Sequence, residues 1–158
     1  MRPILVGLHN PHSSHPSDAL HPLPIGASGS RLFSMIKEYA RDMTVQDYLD
    51  GFDRKNLVAG LGIYLDTSVP AKVMLETLPK NATVVMLGTG VAWAFRKALQ
   101  IREQFPLIHP RVADGITWRM IPHPSGRSTL YNDPTMRALV GMMLADLYRL
   151  GAREYNAT

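Results

Sequence analysis

A histidine in a proline-stiffened turn is the side chain in this sequence best placed to do chemistry. His123 lies in residues 121–127, Ile-Pro-His-Pro-Ser-Gly-Arg, after an apolar run and before a helix pattern. Pro124 fixes its own φ and restricts the backbone of His123, so the imidazole is aimed in one direction. At the carboxyl end of a parallel strand, such a turn lies where α/β folds bind ligands.

A second stiff turn, Gly7-Leu8-His9-Asn10-Pro11, ends the first apolar run. Each turn holds a polar side chain at the end of an apolar run, the amide of Asn10 and the imidazole of His123. Together the two turns predict one site. The alternatives are that Asn10 caps a turn and that His123 is a structural turn residue, because asparagine is a common turn former.

Composition limits the classes of protein that fit. The chain has 158 residues, which suits a single domain over residues 1–158 with a full hydrophobic core. It contains no cysteine, which excludes disulfides, thiol nucleophiles, cysteine-ligated zinc and iron–sulfur clusters. No apolar run is long enough for a membrane helix, and the first residues show no signal-peptide layout. We therefore expect a cytoplasmic protein with no membrane partner.

Positive charge is concentrated in one part of the chain. The formal net charge is +4, and residues 96–127 hold six Lys or Arg against two acidic residues. A basic flank beside a site suits a polyanion such as nucleic acid. The alternative is an ordinary solvated helix face.

Strand and helix patterns alternate along the chain. Apolar runs predict strands at residues 3–8, 56–59, 82–87 and 118–121. Spacing and capping residues predict helices at 29–42, 45–49, 68–78 and 91–102, and a last helix that Asp133 and Pro134 begin and Gly151 ends. This alternation implies a three-layer α/β/α domain with a four-stranded parallel sheet.

Four short segments, taken in their order along the chain, resemble motifs of the uracil-DNA glycosylase superfamily, and together they span nearly the whole chain. Residues 7–11 resemble its first motif, a glycine shortly before Asp-Pro or Asn-Pro. Residues 84–88 and the helix after them resemble its central strand–glycine–helix, and residues 26–29 its Gly-x-x-Gly. His123-Pro124-Ser125 resembles the second motif. Without cysteine, the chain is similar to the cluster-free members, and the asparagine in motif one is closest to the mismatch-specific uracil/thymine type.

The resemblance implies a base-flipping hydrolase that acts on DNA as a monomer and needs no cofactor or metal. Asn10 would position a water against the sugar carbon C1′, and His123 would stabilise negative charge on the departing base. The implied substrate-binding residues are Gly7, His9, Pro11, His12, Ile25 and Asn56. The implied DNA-binding residues are Ser125, Gly126, Arg127, Ser128, Leu130 and Tyr131. The alternatives are that Asn56 satisfies a loop backbone and that Arg127 and Leu130 are ordinary surface loop residues.

The sequence also departs from that family. Motif one has an extra residue before Asn10, and residues 23–25, Leu-Pro-Ile, lack the aromatic that relatives often stack on the base. A modified pyrimidine or another base is therefore a possible target. The alternatives are excision of a hypermodified base from phage DNA, hydrolysis of a free nucleoside or nucleotide, and a non-catalytic binder of DNA or protein.

Two further patterns in the sequence fit plain structural explanations better than functional ones. His9, His12, His15 and His21 have a spacing that can converge on zinc, but Asp18 is the only carboxylate of their loop, so we predict no metal site. Gly88-Thr89-Gly90 lacks the Gly-Lys-Ser/Thr ending of a nucleotide-binding P-loop. It is predicted to be a tight strand-to-helix turn.

Overall fold

The computed structural model describes residues 1–10, 13, 15–23, 27–58, 66–126 and 128–157. Four of the predicted site residues, Pro11, His12, Ile25 and Arg127, lie outside the described residues. The described strands form one sheet of five strands in the order β2-β1-β3-β5-β4. Their bounds are β1 Ile4–Gly7, β2 Asp53–Asn56, β3 Thr83–Leu87, β4 Arg111–Ala113 and β5 Ile116–Ile121.

The prediction of a four-stranded parallel sheet is wrong, because the sheet is mixed and has five strands. β1, β2, β3 and β5 are parallel, whereas β4 pairs antiparallel with β5 at the edge. Asp114 and Gly115 join β4 to β5 with φ values of 54° and 72°. Two positive φ values are what a tight type I′ hairpin turn needs, and Asp-Gly is a favoured sequence for it.

The second strand lies earlier in the chain than its apolar pattern predicted. The expected strand was residues 56–59, and the observed one is Asp53–Asn56, which contains no apolar residue. β2 is an edge strand, so its side chains alternate between exposed and half-buried positions instead of being enclosed on both faces. Sheet pairing with β1 therefore determines this strand, and hydrophobicity does not.

Helices cover both faces of the sheet. Their bounds are α1 Ser28–Lys37, α2 Val45–Gly51, α3 Ser68–Thr77, α4 Thr89–Ala98 and α5 Pro134–Asn156, with short 3-10 turns at Pro16–Asp18 and Leu130–Asn132. One buried cluster joins alternate residues of β1 and β3 to α3 and α4. The other joins the remaining alternate residues to α1, α2 and α5. The α/β architecture with two covered faces is thus confirmed. No helix in the described part of the chain is long and apolar enough to cross a membrane.

The two ends of α5 are set differently, the first by local capping residues and the second by packing. Asp133 caps α5 by accepting a hydrogen bond from the backbone N–H of Thr135 at 2.9 Å, and Pro134 is the first helical residue, as predicted. The predicted end at Gly151 is wrong, since α5 continues to Asn156. A Cβ at Gly151 would lie 3.2 Å from Cδ of Pro3, so this glycine allows close packing and does not end the helix.

The segment 15–23 is tied to the body of the domain by long-range contacts. The hydroxyl of Tyr48 in α2 donates to the carbonyl of Leu20 at 2.9 Å. Arg54 in β2 donates through Nη1 to the carbonyl of Ala19 at 2.7 Å. A Cβ at Gly29 would lie 2.3 Å from the carbonyl oxygens of Leu20 and His21. The loop after β1 is therefore anchored by α1, α2 and β2.

Replacing Gly29 by alanine should destabilise the protein. The added methyl group meets backbone at 2.3 Å, so the loop or α1 must shift. We expect a loss of about 3 kcal/mol in the free energy of unfolding, measured by urea denaturation.

The matched control is Gly90→Ala, since Gly90 is also the second residue of a helix, and a Cβ there meets only Leu8 at 4.0 Å. Its stability should stay unchanged or rise by up to about 1 kcal/mol. Equal effects of the two substitutions would contradict the close packing of α1 on the loop.

Candidate functional site

Four parallel strands end at one edge of the sheet and bring four segments of the chain together. β1 ends at Gly7, β2 at Asn56, β3 runs into Gly88 and β5 runs into His123. In the register of the sheet, Gly7 pairs with Asn56 and Leu87 pairs with Ile121. Residues that are far apart in sequence therefore meet where α/β sheets bind ligands.

His123 is half-buried and its ring orientation is fixed. Its Nδ1 accepts a hydrogen bond from the backbone N–H of Ser125 at 3.1 Å. Because Nδ1 is the acceptor, the proton of the neutral ring is on Nε2, which makes Nε2 a hydrogen-bond donor. Burial lowers the pKa of His123 below its ordinary value of 6.5, and the charge of His9 lowers it further. A neutral imidazole with a fixed donor atom results.

Gly88 packs directly against this histidine. Its φ is +94°, which favours glycine, and a Cβ there would lie 3.1 Å from Cβ of His123. Its N–H donates to the carbonyl of Ile121 at 2.9 Å, two residues before His123. The Gly88 turn was predicted from the sequence, but its contact with the His123 turn was not. The signal was a glycine directly after a buried strand.

The turn after β1 places Gly7, His9 and Asn10 at the same edge. Asn10 is half-buried, and its Nδ2 donates to the carbonyl of Asp18 at 3.3 Å within its own loop. A Cβ at Gly7 would lie 3.0 Å from Oδ1 of Asn56, so the Asn56 side chain lies over the end of β1. His9 interacts electrostatically with His123. The structure thus brings together Gly7 with Asn56, and His9 with His123.

The segment after His123 is held by its own hydrogen bonds. The N–H of Ser128 donates to the carbonyl of Ser125 at 3.1 Å, and the hydroxyl of Tyr131 donates to the carbonyl of Pro122 at 2.6 Å. Tyr131 is half-buried, and burial raises its pKa. Leu130 is 53% exposed. Tyr131 therefore supports the turn, whereas Leu130 is accessible to a partner.

Arg31 is a residue that the sequence did not assign to the site. A Cβ at Gly126 would lie 2.7 Å from Nη2 of Arg31, so the guanidinium of this α1 residue lies against the His-Pro-Ser-Gly turn. Gly126 is exposed, and its small size leaves room for that approach. The sequence signal was present, because Arg31 follows the Gly-x-x-Gly pattern, but only the fold places it beside Gly126.

The histidines of the loop after β1 form local contacts. Nδ1 of His15 accepts a hydrogen bond from the N–H of Ser17 at 3.2 Å, and Nδ1 of His21 accepts one from the N–H of Leu23 at 3.3 Å. In both, a side chain bonds the backbone two residues later, as Asn and Asp side chains do in turns. Among the residues that the structure describes, no three His, Asp or Glu side chains form a group that could hold a metal ion.

Neither protein-family models nor curated proteins give a relative from which to assign the site. No protein-family model matches the chain, and no curated protein is significantly similar to it. The geometry of His123, Gly88 and the turn after β1 is therefore the basis on which a function can be proposed. The resemblance to uracil-DNA glycosylases remains a prediction from short motifs.

The ring of His123 should titrate below pH 6.5, because burial and the charge of His9 both favour its neutral form. His9→Gln removes one of these two causes, so the pKa of His123 should rise and still stay below 6.5. The measurement is a pH titration of the histidine ring signals by two-dimensional NMR. The ¹⁵N shifts should also show an unprotonated Nδ1 in the neutral ring. A His123 that titrates above 6.5 in the wild-type protein would exclude this description.

Proposed function

We propose that this protein is a DNA glycosylase, which hydrolyses the bond between a flipped-out base and its deoxyribose and leaves an abasic site. The observation that carries the proposal is the hydrogen bond from the N–H of Ser125 to Nδ1 of His123, which places the proton of the neutral ring on Nε2. The proposal places the protein in the uracil-DNA glycosylase superfamily, as a member without an iron–sulfur cluster.

The chemistry needs a donor for an anionic leaving group. When the N-glycosidic bond breaks, its electron pair stays on the base and the sugar becomes an oxocarbenium-like cation. The Nε2–H of His123 would donate to the base anion as charge develops there. A neutral imidazole suits this role, and burial lowers the pKa of His123 in that direction.

Water attack completes the reaction in the proposal. The water oxygen adds to C1′ and one proton is released to the departing base or to solvent. Asn10 would hold the water through its carbonyl oxygen Oδ1, the acceptor of its amide, and the hydrogen bond from its Nδ2 to Asp18 orients the side chain. An amide cannot take up a proton at neutral pH, so Asn10 contributes positioning and not base catalysis.

Positive charge beside the His123 turn supports DNA as the substrate. The guanidinium of Arg31 lies against Gly126 in that turn. It would contact a phosphate of a strand whose flipped nucleotide is at His123. Of the basic residues in the window 96–127, Arg111 pairs with Glu103, and Arg119 donates to the carbonyl of Ile108, so these two are engaged within the protein.

The exposed Leu130 supports the same substrate. It is 53% exposed and follows the His123 turn, where an apolar side chain can fill the gap that a flipped nucleotide leaves. The hydrogen bond from Tyr131 to Pro122 braces the segment that presents it.

The test is a cleavage assay on labelled oligonucleotides, with alkali to break abasic sites. The panel holds uracil, mismatched thymine, hydroxymethylated and glucosylated pyrimidines and normal bases, together with free nucleosides. His123→Ala should lower the single-turnover rate by about 100- to 1,000-fold, the usual effect of losing one donor to a developing anion. Asn10→Ala should lower it by about 100-fold, with DNA binding largely retained.

His109→Ala is the control, because His109 is an exposed histidine in the segment before β4. It should cleave like the wild-type protein. Full activity of His123→Ala would overturn the proposed chemistry. Cleavage of free nucleosides with no salt-sensitive DNA binding would identify a nucleoside hydrolase, and binding without cleavage across the panel would favour a non-catalytic binder.

A further inference from the structure

A pocket of about 150 Å³ lies beside the proposed catalytic edge, on the opposite side of the Gly88 turn from the loop after β1. One wall is a single face of α4, whose lining residues have the spacing i, i+3, i+4 and i+7. The other wall is the segment before β4 together with β5. The lining residues are Thr89, Ala92, Trp93, Arg96, Gln104, Phe105 and Met120.

The size of this α4 pocket suits one six-membered ring. A cavity of about 150 Å³ in another protein holds a benzene molecule. Phe105 is buried and packs on the buried Trp118 with ring centroids 6.0 Å apart, so this wall is rigid. Trp93 is 40% exposed and presents a large aromatic surface. A flat ring can therefore lie among these apolar groups.

Polar groups at the α4 pocket match the edge of a nucleobase. The amide of Gln104 has both donors and an acceptor, and the hydroxyl of Thr89 can act as either. Both side chains belong to exposed residues, so they can meet a ligand without large rearrangement. A ring that carries carbonyl and N–H groups fits this mixture better than a hydrocarbon does.

Charge at the α4 pocket selects an anionic ligand. Nη1 of Arg96 donates to the carbonyl of Arg102 at 3.3 Å, which holds the guanidinium at the wall. In the part of the chain that the structure describes, no carboxylate forms an ion pair with Arg96. The Nζ of Lys97 lies 5.6 Å from the centroid of the Trp93 ring, but its charge also acts on Asp66, whose pKa it helps to lower, so Arg96 is the main cation of the pocket.

The α4 pocket also adjoins the proposed reaction centre. Thr89, which lines it, directly follows Gly88, and Gly88 packs on His123. A strand whose flipped nucleotide is at His123 would therefore place a neighbouring nucleotide near α4.

We propose that the α4 pocket binds one pyrimidine nucleotide, with its ring against Trp93 and Phe105 and its phosphate at Arg96. The nucleotide is either free or part of a DNA strand, and the chemistry that recognises it is the same. Only the second source depends on the proposed glycosylase function. In that case the pocket holds the neighbour of the target nucleotide and gives the enzyme a preference for sequence context.

The first arm of the test titrates the full chain with thymidine 5′-monophosphate and follows tryptophan fluorescence. Of the two tryptophans Trp118 is buried, so the signal reports Trp93. Saturable quenching is expected, with weaker binding of thymidine, which lacks the phosphate, and of deoxyguanosine 5′-monophosphate, which has two rings. Arg96→Gln should weaken binding at least about tenfold.

Arg102→Gln is the matched control, because it keeps the carbonyl that holds Arg96 and removes a nearby charge that does not line the pocket. It should bind like the wild-type protein. Trp93→Ala, measured by calorimetry, should lose about tenfold or more in affinity through lost stacking. Circular dichroism checks that each variant is folded. No saturable quenching, or equal losses in Arg96→Gln and Arg102→Gln, would overturn the proposal.

The second arm separates the two sources and the two proposals. His123→Ala should bind the mononucleotide normally, since the ring of His123 does not line the pocket. If oligonucleotides protect Trp93 from acrylamide quenching and Arg96→Gln changes the context preference of cleavage, the strand is the ligand. If the mononucleotide binds but oligonucleotides neither protect Trp93 nor are cleaved, the pocket is a free-nucleotide site. The pocket proposal then stands and the glycosylase proposal fails.

Discussion

The candidate site depends on the parallel pairing of β3 with both β1 and β5. β3 is the central strand, and residues Val84 to Leu87 are fully enclosed between the two helical layers. Because three neighbouring strands run in the same direction, their carboxyl ends lie at one edge. The turns that carry Asn10, Gly88 and His123 therefore lie at the same edge of the sheet. A change in strand direction or register would separate them.

Contact between Gly88 and His123 fixes the position of the His123 turn at this edge. The absence of a side chain at Gly88 lets the histidine turn approach the end of β3, and the backbone N–H of Ser125 then selects the tautomer. Burial in the same place favours the neutral ring. Packing, hydrogen bonding and burial thus all favour a neutral His123 ring with Nε2 as the donor, and such a group is preorganised to stabilise an anion.

The two sides of the Gly88 turn have different characters. The side of β1 and β2 carries amides and histidines, with the loop fixed by Tyr48 and Arg54. The side of α4 carries aromatic rings and cations around a pocket. A ligand that spans both sides would meet polar side chains on the side of β1 and β2. On the side of α4 it would meet aromatic rings and positive charge. An extended polyanion with flat rings has that distribution of chemistry.

The sequence by itself determined the elements whose signals are local. Apolar runs located β1, β3 and β5, Asp133 and Pro134 began α5, and proline restricted the turns at Asn10 and His123. Tertiary structure decided what depends on distant partners: the polar edge strand β2, the antiparallel β4, the length of α5 past Gly151, and the placing of Arg31 and Tyr131. Hydrogen-bond pairing and close packing set these features, and neither leaves a periodic pattern in the sequence.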